Sequence, residues 1–93
     1  MSYKFALGQI CVTRGVNDLM AVDTSFSLFV WESLKRHAKG DWGNLCNEDK
    51  KENDISRDIH LRLLSAYELN EIKIWIVTEA DRSVTTVLFP SEY

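Results

Sequence analysis

The sequence predicts an α+β fold: an antiparallel sheet of about four strands, made of an N-terminal strand and a C-terminal three-stranded meander, with two to three helices packed on one face. Two observations carry that class. Helix-period patterning fills the middle of the chain between Asn17 and His60, while β-branched and aromatic segments lie at its two ends. Segregating helices from strands in this way leads to an α+β arrangement, because a parallel sheet needs the two to alternate.

Phe5 to Thr13 mixes β-formers with one glycine ahead of the turn-like Arg14-Gly15, and predicts the first strand. Asn17 is placed to cap a short helical turn over Asp18 to Val22, and Asp23-Thr24-Ser25 supplies a second N-cap cluster. Phe26, Phe29, Val30, Ser33, Leu34 and His37 then recur at three- and four-residue steps, one face of an amphipathic helix that Gly40 terminates. Gly40-Asp41-Trp42-Gly43 is a glycine-bracketed turn. Asn47-Glu48-Asp49 provides a cap and first-turn acids for a polar helix over roughly Glu48 to His60. Its thin apolar face, Ile55 and Ile59 with Leu45 ahead of them, is expected to bury one edge. Leu63 to Leu69, Ile72 to Thr78 and Val84 to Phe89 read as strands. A two-residue turn at Asn70-Glu71 and a polar loop from Glu79 to Ser83 join them, and Pro90 stops the last. With no repeat or low-complexity tract, residues 1–93 are expected to form a single domain.

Composition narrows the function. The 93 residues carry 14 Asp and Glu against 11 Lys and Arg, a formal charge of -3, which disfavours general phosphate-backbone binding because clustered cations carry that affinity. The basic stretch Lys35-Arg36-His37-Ala38-Lys39 ends a predicted helix, where cations suit the macrodipole, so nucleic acid is not the expected partner even with Arg14 added. The nearly uncharged run from Leu19 to Trp31 falls short of the roughly 20 apolar residues of a membrane span. Cys11 and Cys46 stand apart, outside any metal-ligand spacing, and the N-terminus lacks a signal-peptide pattern, so a cytoplasmic protein with two free thiols is expected, as monomer or homodimer.

Three constellations are candidates for chemistry. His37 with Asp41, and Glu48 and Asp49 beyond the turn, offers metal-ligand types. The ordinary reading has His37 capping the helix C-terminus and Asp41 accepting backbone hydrogen bonds in its turn, and neither metal nor cofactor is expected. In the loop Glu79-Ala80-Asp81-Arg82-Ser83, two carboxylates precede a guanidinium able to hold an anion bidentately, yet Ser83 has no histidine near it in sequence to activate it. The aromatic set Tyr3, Trp31, Trp42, Tyr67, Trp75 and Tyr93 exceeds what so small a core requires. Trp31 and Trp75 are expected where helix meets sheet, and Trp42 is expected to be partly exposed.

Leu7-Gly8-Gln9-Ile10, Arg36-His37, Gly40-Asp41-Trp42-Gly43, Leu64-Ser65-Ala66-Tyr67 and the block from Lys73 to Ser83, running into Thr85-Thr86 and Pro90-Ser91-Glu92-Tyr93, together resemble a family of small uncharacterised bacterial proteins, plasmid-related. The resemblance spans nearly the whole chain, and Thr78-Glu79-Ala80-Asp81-Arg82-Ser83 is its most specific part. It implies an accessory protein of a mobile element, plasmid or phage, that binds a host or element-encoded protein, a restriction or CRISPR nuclease among the candidates.

The expected function is therefore a non-enzymatic protein-interaction module. Its contact surface would combine Asp41 and Trp42 of the first turn with Glu79, Asp81, Arg82 and Ser83 of the second loop, with His37 and Tyr67 at a possible ligand site. The alternative is a small-ligand or enzymatic site in which His37, Asp41, Glu79, Asp81 and Arg82 converge around a nucleotide or other anion.

Overall fold

In the computed structural model, which describes residues 4–93, the chain runs β1 (Gln9–Val12), α1 (Arg14–Val22), α2 (Thr24–Ala38), α3 (Asn47–Asp58), β2 (Leu63–Leu69), β3 (Ile72–Thr78), β4 (Val84–Leu88) and a closing 3-10 turn at Pro90–Glu92. Tyr3 lies outside the described residues.

The class is as the patterning predicts, α+β with a four-stranded sheet, but the sheet is mixed. Strand order is β1-β4-β3-β2, with β2, β3 and β4 an antiparallel meander and β1 parallel to β4. Period and propensity report where a strand is and which face it buries, and neither reports its direction. Here α1, α2 and α3 carry the chain from β1 across the sheet to β2, and the meander then returns β4 beside β1 in the parallel sense.

Local signals placed the meander well. Asn70 and Glu71 both take positive φ, 50° and 69°, the conformation of the tight hairpin turn whose twist matches its strands. In β3, Ile74 and Ile76 are fully buried and alternate with exposed Lys73 and half-buried Trp75. Register then stacks Tyr67 beside Ile74, and Ser65 beside Ile76 beside Val87, on the face that α1 and α2 cover. The core forms there from Val16, Phe26, Val30, Leu34, Tyr67, Ile74, Ile76 and Val87.

The start of α2 also follows the sequence: Asp23 accepts a hydrogen bond from the Phe26 backbone N–H at 3.0 Å, a side-chain cap. Gly40, at φ +79°, ends the helix in the left-handed region. For α1 the expectation was short. The helix begins at Arg14, because Glu92 reaches across from the far end of the chain, accepting from the Thr13 hydroxyl at 2.6 Å and from the Gly15 N–H at 3.1 Å. The carboxylate at this N-terminus is favoured by unsatisfied amides and dipole alike.

The third helix corrects one expectation. Its apolar residues face outward, with Ile55 59% and Ile59 60% exposed, and the residue it buries is Asn53. The tryptophans are exchanged as well. Trp42, expected at the surface, is 3% exposed, and Trp31, expected in the core, is 49% exposed. Trp75 is half-buried and meets Tyr93 edge-on with ring centroids 5.4 Å apart.

Candidate functional site

His37 stands on the inner face of α2, as the three- and four-residue steps predict, and its surroundings define what it can do. It is fully buried, Nδ1 meeting the Ser65 hydroxyl of β2 and Nε2 lying 2.8 Å from the Thr78 hydroxyl of β3. Thr78 in turn lies 2.7 Å from the Thr85 hydroxyl, and Thr85 donates to the Leu7 carbonyl at 2.7 Å.

Proton accounting fixes the direction of this chain. The Leu7 carbonyl only accepts, so Thr85 donates to it; Thr78 therefore donates to Thr85 and accepts from His37. Nε2 carries the ring proton, and Nδ1 accepts from Ser65. Burial, with the Arg82 charge adding to it, pushes the His37 pKa down to about 3, so the ring stays neutral as the chain requires. The C-terminal capping role expected for His37 is thus corrected, because the ring points into the core and leaves the last carbonyls of α2 behind. The Ser65–His37 pair has the elements of an activated nucleophile, but both residues are 0% exposed and no substrate can reach the hydroxyl.

Trp42 packs beside His37, ring centroids 5.6 Å apart, and its indole N–H donates to Asp54 of α3 at 2.9 Å. The turn folds inward because its backbone pairs with a strand. Ala66 N–H donates to the Trp42 carbonyl at 3.3 Å, Asn44 N–H donates to the Ala66 carbonyl at 2.6 Å, and Gly43 bridges to Ala66. Gly43 takes φ +72°, and a Cβ there would stand 2.0 Å from the Ala66 oxygen, so only glycine fits. Asp41 behaves as a turn residue, accepting from the Gly43 N–H at 3.2 Å, and also pairs with Arg36 at 2.7 Å. The Arg36 hydrogen bond holds its carboxyl below the usual carboxylate range. Tyr67 donates to the Asp41 carbonyl at 2.5 Å beneath the Arg36 guanidinium, and burial raises its pKa.

The second loop is likewise turned inward. Arg82, at φ +61°, donates to five backbone carbonyls: Ser56 and Arg57 at the end of α3, Leu61, and Glu79 and Ala80 of its own loop. The last carbonyls of a helix have no partner within it, so the guanidinium acts as a C-terminal cap supplied from another element. Its planar fork is occupied and is not free to hold an anion, which corrects the gripping role expected from sequence. Asp81 accepts from the Ser83 N–H at 3.0 Å and hydroxyl at 2.6 Å, contacts that hold its carboxyl below the usual range. Glu79 pairs with Arg62 at 3.6 Å.

The two loops do meet, through a residue that no pattern in the sequence singles out. Phe5 lies edge-on to His37 with centroids 5.2 Å apart, stacks on Trp42 at 6.0 Å, and has the Arg82 guanidinium 5.6 Å from its ring centre. This contact is apolar and filled. Asp41 and Arg82 turn their charges to separate partners, so they do not frame one polar pocket. Among the described residues, no group of three His, Cys, Asp or Glu side chains is placed to hold a metal ion, and no helix is long and apolar enough to cross a membrane.

Sequence reasoning missed Ser65, Thr78, Thr85 and Asn53. A signal existed for the first three: alternation puts each hydroxyl on the core-facing side of its strand, where a buried polar group must find a partner. Asn53 carried none, since its role depends on the strand it reaches.

The fold and site together describe a small α+β domain with a buried polar spine and two inward-turned loops. No protein family, curated protein or solved structure matches the chain.

Proposed function

We propose that this chain is a cytoplasmic protein-interaction module of a mobile element, acting on a host or element-encoded protein through exposed apolar side chains. The observation that carries the reading is on α3 and the segment after it. Ile55, Ile59 and Leu61 are 59%, 60% and 50% exposed, and Ile55 and Leu61 line a shallow groove of about 320 Å³ with Glu52 and Ser56. A cluster of large apolar groups left in water on a small domain is the usual mark of a protein contact.

The groups that a ligand site would need, His37, Asp41, Glu79, Asp81 and Arg82, are each engaged by internal partners, which weakens the small-ligand reading. The interaction surface accordingly moves from Trp42 and Arg82, which hold the fold, to α3. The resemblance to plasmid-related proteins supports a host defence nuclease as the partner.

The test compares the protein with a variant carrying Ile55→Glu and Ile59→Glu, which should fold normally because neither side chain is buried. A partner captured from a bacterial host by the tagged protein, identified by mass spectrometry and repurified, should bind the variant at least about tenfold more weakly, as expected when two contact residues are made charged. Equal binding by both would reject the α3 surface. A partner nuclease should also lose activity on adding the protein, and unaltered turnover would reject inhibition.

A further inference from the structure

The two outer strands of the sheet differ in how their free sides are finished, and the difference singles out β1. Its register with β4, with Gln9 N–H donating to the Ser83 carbonyl and Thr13 N–H to the Val87 carbonyl, directs the backbone groups of Gln9, Cys11 and Thr13 toward β4. The N–H and C=O groups of Ile10 and Val12 then point outward, and among the described residues no strand lies on that side. Apart from its shortness, four residues, the edge is unguarded: Gln9–Val12 holds no charge, proline or bulge. Ile10 sits on the helix-covered face in register with Thr85, yet is 39% exposed, an apolar side chain at the rim of the core with no further strand beyond it among the described residues.

We propose that β1 pairs antiparallel with β1 of a second copy of this chain, joining two four-stranded sheets into one of eight strands about a two-fold axis at Cys11. The register follows from the edge itself. Centring on Cys11 sets Ile10 opposite Val12 of the other copy twice over, and all four outward-pointing residues then exchange backbone hydrogen bonds within the two strands. A centre at Ile10 would instead require Gly8, whose φ of +65° takes it out of extended conformation. On the helix face, Ile10 of each copy meets Val12 of the other, so the exposed apolar rim is covered from both sides.

On the opposite face, the two Cys11 side chains form a directly facing, non-hydrogen-bonded pair with Cα atoms about 4.5 Å apart, within the range a disulfide spans.

Analytical ultracentrifugation should find a concentration-dependent dimer. Ile10→Lys, which places a charge on the exposed rim, should weaken association at least about tenfold while circular dichroism stays unchanged. A second measurement is independent of that variant. With Cys46→Ser, leaving Cys11 as the single thiol, diamide accepts two electrons and two protons as two Cys11 thiols join, and a covalent dimer should form; Cys11→Ser should give none. A monomer throughout the accessible concentration range, a dimer unaffected by Ile10→Lys, or crosslinking through Cys46 alone would overturn the proposal.

Discussion

One edge of the sheet is closed by the protein itself and the other is left open. On the β2 side, the Asn53 side chain donates to the Leu64 carbonyl at 2.5 Å and accepts from its N–H at 3.3 Å, an amide standing in for a neighbouring strand. Two residues on, Trp42 and Asn44 bond Ala66 through their backbones. A helix side chain and a glycine-bracketed turn therefore complete what a fifth strand would supply. On the β1 side, a four-residue strand has no such cover among the described residues. Edges are closed where exposure would invite unwanted pairing, so an edge left bare is a candidate for selected pairing.

The largest effect should come from Gly43→Val. A side chain there collides with the Ala66 oxygen and the Tyr67 ring, and β-branching at positive φ adds strain, so a loss of about 4 kcal/mol or failure to fold is expected in urea unfolding. A variant of near-normal stability would show that the turn does not close the edge.

His37→Leu tests the spine beneath that turn. It leaves the Ser65 hydroxyl without its acceptor and should cost about 3 kcal/mol by the same measurement. Acidity probes the same residue. The His37 pKa falls from 6.5 to about 3 on folding, so the unfolded chain takes up the proton first. Stability is complete above about pH 6.5 and should decline as pH drops toward 3, by on the order of 1 kcal/mol per pH unit over most of that span. In His37→Gln the part of the slope below pH 6.5 that belongs to this residue should vanish; an unchanged slope would assign it to the carboxylates.

Asn53→Ala removes the substitute strand at Leu64 while water can still reach the uncovered groups, so about 1–2 kcal/mol is expected. Light scattering should detect new association through β2, which would bring the closed edge to the condition of the open one. The smallest effect on stability belongs to Ile10→Lys, about 1 kcal/mol or less, because the side chain is already partly in water in the single chain. A large loss in the isolated chain would mean that β1 is supported from its outer side after all.

Much of this was legible residue by residue. Periodicity identified the buried face of α2 to the level of Ser33 and His37, and the hairpin at Asn70-Glu71 was readable because its chemistry is local. Ile55 and Ile59 misled because four-residue spacing reports a common face without saying what that face meets. Trp42 misled because a glycine-flanked aromatic looks like an exposed anchor until Ala66 is placed beside it. The loop from Glu79 to Ser83 is a dense polar group in sequence and in structure, but a guanidinium surrounded by carbonyls and one facing an anion have the same sequence.

The sequence by itself determined the α+β class, the positions of the strands, and the cap, stop and buried face of α2, because these follow from spacing and propensity within a few residues. Only tertiary structure decided that β1 runs parallel to β4, that Asn53 and Trp42 turn inward to close β2, that Glu92 starts α1, and that Arg82 completes α3. Each depends on groups brought together from distant parts of the chain, and a hydrogen bond has no partner until the fold supplies one.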